Sequence, residues 1–243
     1  MGRKFEVRKE SMQKSGLRKS KLYARYGKEI FMSAKQGGHN LDSNLALKHL
    51  IERAKKEEVP MDIIERNIKK AESSDASDYE PIRYEGFGPS GSAFLIDCLS
   101  DNVNRTVGEV RYCFTKIHSK MGVKGSVEHM FEHLSILEVD QVLEDDLLET
   151  LLNADIDVHD ITSLDQGFEI IADGYDLDTI EHAFREASFN IVSSKRGWFA
   201  KDMITLNQDD QETLETFLNM VNDIDDVQAV YHNVDVTGND EKA

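Results

Sequence analysis

The stretch ILEVDQVLEDDLLETLLNADIDVHDITSLDQGFEIIADGYDLDTIEHAFREASFNIVSSKRGWF, residues 136–199, decides the fold of this chain. Ile136–Val139 is a short apolar strand signal, and Asp145–Ala154 sets leucines at helical spacing behind acidic residues that suit a helix start. Asp160–Ser163 and Phe168–Ile171 predict two strands turning at Asp165-Gln166-Gly167. Leu177–Ala187 has helical periodicity, and Ile191–Phe199 reads as a strand. The order is β-α-β-β-α-β within about 65 residues, the split βαβ or ferredoxin-like arrangement.

Outward from this unit, Ser92–Leu99 predicts a strand. Val103–Ile117 predicts a helix with Val103, Val107, Val110, Phe114 and Ile117 inward, and Val127–Phe131 another strand. Beyond it, Met203–Leu206, Gln211–Asn222 and Val227–Val234 give β-α-β again. The simplest account inserts one ferredoxin-like unit into another. Ahead of both, the polar run Glu72–Asp78 reads as a linker. Three amphipathic helices precede that linker. The first carries Tyr23, Tyr26, Ile30 and Ala34 and stops at Gly37-Gly38. The second carries Leu47, Leu50, Ile51 and Ala54 behind Asp42 or Ser43 as N-cap. The third opens at Pro60 and carries Met61, Ile64, Ile68 and Ala71. Residues 1–18 hold few large apolar groups and read as an extended arm that orders on a partner, and Thr237–Ala243 as a frayed tail. The expected fold class is α+β: an N-terminal three-helix bundle, then two ferredoxin-like α/β domains, one inserted in the other. The expected domains are 1–76, the discontinuous 80–134 plus 203–236, and the inserted 135–202.

The chain has 243 residues, 40% hydrophobic and 31% charged, enough to bury a core in a soluble protein. No apolar run approaches the roughly 18 residues of a membrane span. Met1 runs straight into Arg3, Lys4, Arg8 and Lys9 with no apolar leader, so a cytoplasmic protein without membrane contact is expected. Cys98 and Cys113 cannot build a disulfide framework or a four-ligand zinc site. The formal charge of −17 is unevenly spread. Residues 1–72 carry 18 Lys and Arg against 10 Asp and Glu, a net of +8, whereas residues 73–243 carry 11 against 36, a net of −25. A basic front on an acidic body suggests polyanion contact through the front.

Several motifs look chemical. Gly86-Phe87-Gly88-Pro89-Ser90-Gly91 spells G-x-G-x-x-G, but the dinucleotide fingerprint needs a helix opening from it, and here the strongest strand follows. A glycine turn is expected instead. His129–His133 spells H-x-x-E-H, whose zinc chemistry needs a helix, while its neighbours favour extended chain. Cys98 and Cys113 sit in apolar contexts as inert small hydrophobes. The carboxylate pairs Asp145-Asp146, Asp209-Asp210 and Asp225-Asp226 fall at helix starts and turns. No metal, cofactor or catalytic group is expected, and no enzyme.

Four segments, in order, resemble the YebC/PmpR family of probable transcriptional regulators, whose mitochondrial relatives are translational activators of cytochrome c oxidase. They are Leu47–Ala71, Arg83–Gly91, Asp101–Thr106 with Val110-Arg111 and Gly125-Ser126-Val127, and Val230–Val234. Gly2–Phe5 and Tyr23–Gly27 look closest to the YeeN-like branch, with Phe5 where the family usually has Trp and His118-Ser119-Lys120 where it has a Gly-Gly turn. The resemblance implies a helical domain followed by two α/β domains. It also implies non-enzymatic control of gene expression, through DNA as a transcriptional regulator or through the ribosome as a translation factor. An acidic protein-interaction scaffold is the further alternative.

The phosphate contacts expected of a basic front are Arg3, Lys4, Arg8, Lys9, Lys14, Arg18, Lys19, Lys21, Arg25 and Lys28. Asn104, Arg105 and Arg111, around the start of a helix, could grip DNA or ribosomal RNA there. Equally, Asn102 could cap that helix while Arg105 pairs with Glu109.

Overall fold

A computed structural model of the chain describes the backbone of residues 3–73 and 78–235, and side chains within that set from residue 19 onward. Three helices come first: α1 (Arg3–Gly37), α2 (Leu45–Lys56) and α3 (Met61–Glu72). α1 is a single helix of 35 residues, so the segment expected as an extended arm is helical from Arg3. Lys, Arg, Glu, Gln and Met are good helix formers. A weak apolar stripe therefore did not mean the absence of a helix. α1 ends at Gly37, and Gly38 follows at φ +83°. The cap of α2 is Asn44 rather than Asp42 or Ser43: its side chain accepts from the Leu47 N–H at 3.0 Å. Pro60 opens α3. Ile30, Leu47, Ile51, Ala54 and Ile64 form the core of the bundle, with Tyr23 and Tyr26 packed against it.

The remainder is β1 (Glu80–Phe87), β2 (Ala93–Ser100), α4 (Val103–Lys116), β3 (Lys120–Met121), β4 (Phe131–Asp140), α5 (Glu144–Asn153), β5 (Val158–Leu164), β6 (Gly167–Asp173), α6 (Leu177–Glu186), β7 (Asn190–Ala200), α7 (Gln208–Asn222) and β8 (Val227–His232). Two four-stranded sheets result, ordered β3-β1-β2-β8 and β5-β6-β4-β7, and the fold is α+β. Contacts cluster into two compact units: residues 1–84, 96–116 and 215–230, and residues 85–95, 117–214 and 231–243.

In the second unit, β4 is antiparallel to β6 and β7, and β5 to β6. With α5 and α6 between strands, the β5-β6-β4-β7 order is ferredoxin-like. Leu137, Leu147, Leu151, Ile170, Ile180 and Phe184 fill its core. The β5–β6 turn needs Gly167, which has φ +125° and whose added Cβ would lie 1.9 Å from the Val139 carbonyl oxygen. Around this unit three expectations fail. Glu128–Met130 is a single 3-10 turn, so the strand placed at Val127–Phe131 begins only at Phe131. Met203–Leu206 contributes one isolated bridge, Ile204 to Val234. Val103 is exposed; the expected Val110 and Phe114 are buried in α4 together with Thr106 and Cys113, and Val107 and Ile117 are half-buried. No strand was expected at β1 or at the two-residue β3. In β1 the buried Glu85 carboxylate accepts N–H groups from Gly125, Val127 and Glu128.

The Gly86–Gly91 segment joins β1 to its sheet neighbour β2, with Gly91 at φ +76°. A Cβ on Gly88 would lie 2.5 Å from the Phe94 ring. The segment itself holds a three-residue 3-10 turn at Pro89–Gly91 and runs into β2 rather than an α-helix, so these glycines shape a turn rather than cradle a dinucleotide. His129 is exposed on the turn before β4, while His133 lies on β4 between the rings of Tyr175 and Trp198. Among the described residues no cluster of side chains could hold a metal, and no helix is long and apolar enough to cross a membrane.

Candidate nucleic-acid interface

α1 carries most of the basic side chains expected to meet phosphate, and its two halves differ. The first half holds Arg3, Lys4, Arg8, Lys9, Lys14 and Arg18, whose side chains lie outside the described residues. In the second half, Lys19 is exposed and pairs with Glu58 at 3.2 Å, which raises its pKa through that hydrogen bond. Lys21, Arg25 and Lys28 recur at helical spacing, so they share one stripe.

That stripe is engaged within its own unit. Lys21 pairs with Asp223 and reaches the Asn222 carbonyl at 3.5 Å. Arg25 donates to the Val227 carbonyl at 3.1 Å and to Asn222 Oδ1 at 3.0 Å. Lys28 donates to the carbonyls of Asp225 (2.9 Å) and Leu99 (3.1 Å) and to Asp226 (2.6 Å). Lys35 continues the stripe onto Asp78. Burial lowers the Arg25 pKa, against the pull of Glu29.

Asp226 is the centre of a wider cluster. Its carboxylate is 2% exposed and accepts from Lys28, from Arg105 at 2.5 Å, from Thr106 at 2.7 Å and from Ser100 at 3.1 Å. Burial alone would raise its pKa, but the hydrogen bonds from Lys28, Arg105 and Thr106 outweigh that and bring it down to about 2. Arg105 in turn binds Asp101 at 2.8 Å, and these two carboxylates raise its own pKa. Asn102 caps α4, accepting from the Arg105 N–H at 3.1 Å. The i,i+4 partner of Arg105 is thus Asp101 on one side rather than Glu109 on the other. Asn104 and Arg111 are exposed on α4.

Beside the cluster lies a cleft of about 830 Å³. Five carboxylates line it, Asp101, Glu109, Asp223, Asp225 and Asp226, against the cations Lys28 and Arg105. Such a lining repels phosphate. Asp226 is the functional-looking residue the sequence concealed. It stands in a run of acids that reads as an ordinary turn, and only the tertiary fold brings cations to it. Cys98 and Cys113 are buried, and burial together with nearby Asp226 and Asp97 pushes the Cys98 thiol up to about 12.

Residues 3–74 match the family model for the TACO1/YebC protein N-terminal domain, and residues 79–234 that for the TACO1/YebC second and third domain. A probable transcriptional regulatory protein of Alteromonas mediterranea is 43% identical over 235 residues, covering 96% of this chain and 98% of that protein. One from Alcanivorax borkumensis is 43% identical over 240 residues, covering 97% and 100%. Among solved structures, a conserved hypothetical protein from Aquifex aeolicus, Aq1575, superposes with a TM-score of 0.72 at 29% identity, over 89% of this chain and 90% of that one.

Proposed function

This chain belongs to the TACO1/YebC family, whose members named above are probable transcriptional regulatory proteins, and we propose that it controls gene expression by gripping a nucleic-acid backbone through the first half of α1. No catalysis is part of this reading. The observation that carries it is the division of charge along α1. Lys21, Arg25 and Lys28 are bound to oxygens of their own unit, whereas Arg3–Arg18 places six cations against only Glu6 and Glu10. Arg3, Lys4, Arg8, Lys9, Lys14 and Arg18 are the phosphate contacts, with exposed Lys19 next to them. Asn104 and Arg111 are outlying contacts on α4, and Arg105 is a structural cation.

Full-length protein titrated against labelled duplex DNA and ribosomal RNA across a salt series tests this. With four to six phosphates engaged, log affinity falls against log salt with a slope of roughly −4 to −5 on duplex DNA. Replacing the six early cations by Gln flattens that slope. A salt-independent signal, or one that the replacements leave intact, defeats the proposal.

The net charge of −25 on residues 73–243 favours a second reading, in which the polyanion is the ribosome. A basic helix can enter an RNA surface while an acidic body stays in solvent, but a duplex lying along that body is repelled. Co-sedimentation with ribosomes that withstands nuclease treatment of free RNA, combined with weak duplex binding, selects this reading over DNA.

A further inference from the structure

The stripe on α1 meets a segment of the same unit whose chemistry resembles a phosphodiester backbone. Asn222 ends α7, so carbonyls at the negative end of that helix dipole point outward, and Asp223, Asp225 and Asp226 follow directly. Lys21, Arg25 and Lys28, about a helical turn apart, each find an oxygen there. Charged or partly charged oxygens accepting from ammonium and guanidinium groups are what a phosphate strand presents.

We propose that Asn222–Val227 is an internal competitor of nucleic acid, occupying cations of α1 that a phosphate backbone would otherwise take and keeping the chain in a lower-affinity state. This rests on the reading of α1 as the polyanion-binding helix. The three rungs have different roles. The Lys28 rung is permanent, because Asp226 is nearly closed from solvent and is also held by Arg105, Thr106 and Ser100. The Lys21 rung is exchangeable, since the Asp223 side chain is 76% exposed and an exposed pair is weak and screened by salt. Arg25 lies between them, tied to Asn222 Oδ1 and the Val227 carbonyl. Exchange therefore begins at Lys21 and proceeds to Arg25, while Asp226 holds the remainder together.

The test is a full-length variant carrying Asn222→Ala and Asp223→Asn, which removes the side-chain acceptors of the outer rungs and leaves the Asp226 cluster whole. Against duplex DNA and ribosomal RNA at low salt it binds about 3- to 10-fold tighter than the parent, with a slope steeper by about 1 to 2, since each newly engaged phosphate adds about 0.9. Adding Lys21→Gln and Arg25→Gln to that variant cancels the gain. In the parent protein, saturating duplex or RNA also speeds amide hydrogen exchange across residues 222–227, a readout that needs no substitution. If the parent binds with a salt-dependent slope but the variant binds no tighter and exchange at 222–227 is unchanged, the competitor is disproved while the α1 reading stands. If the parent binds no polyanion at all, both fall together.

Discussion

Asp226 shows how much one carboxylate can organise, and its protonation gives a test in pH. Its folded-state pKa of about 2 lies below the ordinary 3.8, so its stabilisation is complete above the ordinary value and is lost as pH falls through about 2. The shift corresponds to about 2 kcal/mol. Urea unfolding of the parent should therefore lose about that much between about pH 4 and about pH 2 from this group. Asp226→Asn should be less stable at neutral pH by on the order of 3 kcal/mol, because Lys28 and Arg105 lose their shared counter-charge. Its stability should also fall less steeply over the same acid range. Parallel acid profiles for the two proteins would refute the assignment. Cys98 makes a simpler case: with its thiol pushed up to about 12 inside β2, native protein at mildly alkaline pH should resist alkylation there and react only on unfolding.

Glycines separate the helices' structural demands from their tolerances. A Cβ on Gly37 would lie 2.6 Å from the Asn44 amide nitrogen. That amide cannot yield cheaply, because it donates to the Ser33 and Gly38 carbonyls while its oxygen caps α2. Gly37→Ala should cost about 1–2 kcal/mol, the scale of a lost cap. Gly108, inside α4, has open space around its added Cβ and no positive φ, so Gly108→Ala should stabilise by about 0.5–1 kcal/mol. Thermal unfolding of the two variants should move in opposite directions, and a shift of the same sign would contradict these placements. The same elements show where sequence pattern suffices. β4 to β7 were legible because alternating apolar residues, leucine-spaced helices and a glycine turn agree with one another over residues 136–199. β1 was not: its Glu85 is buried yet satisfied by three backbone N–H groups that only the loop after β3 supplies. The start of α1 was missed for the opposite reason, since its few large apolar residues, Phe5, Val7, Met12 and Leu17, set no clear helical period among the charges.

At the scale of the molecule, the lopsided charge was fully legible, whereas its partial neutralisation was not. A count of residues 1–40 cannot reveal that Lys21, Arg25 and Lys28 meet residues 222–227, roughly 200 positions away in sequence, because nothing local pairs them. What the count does predict is a long-range effect separate from contact. If polyanions approach α1, the −25 carried by residues 73–243 opposes the encounter even where nothing touches. Replacing Glu144, Asp145 and Asp146 in the first turn of α5 by their amides should then speed association with duplex DNA by about 2-fold at about 10 mM salt, where the screening length is about 30 Å. By about 150 mM salt, with the screening length near about 8 Å, the gain should vanish. Stopped-flow association rates across that range distinguish this field from a binding contact. A contact at α5 would alter dissociation and persist into high salt, and that result would move the nucleic-acid surface away from α1.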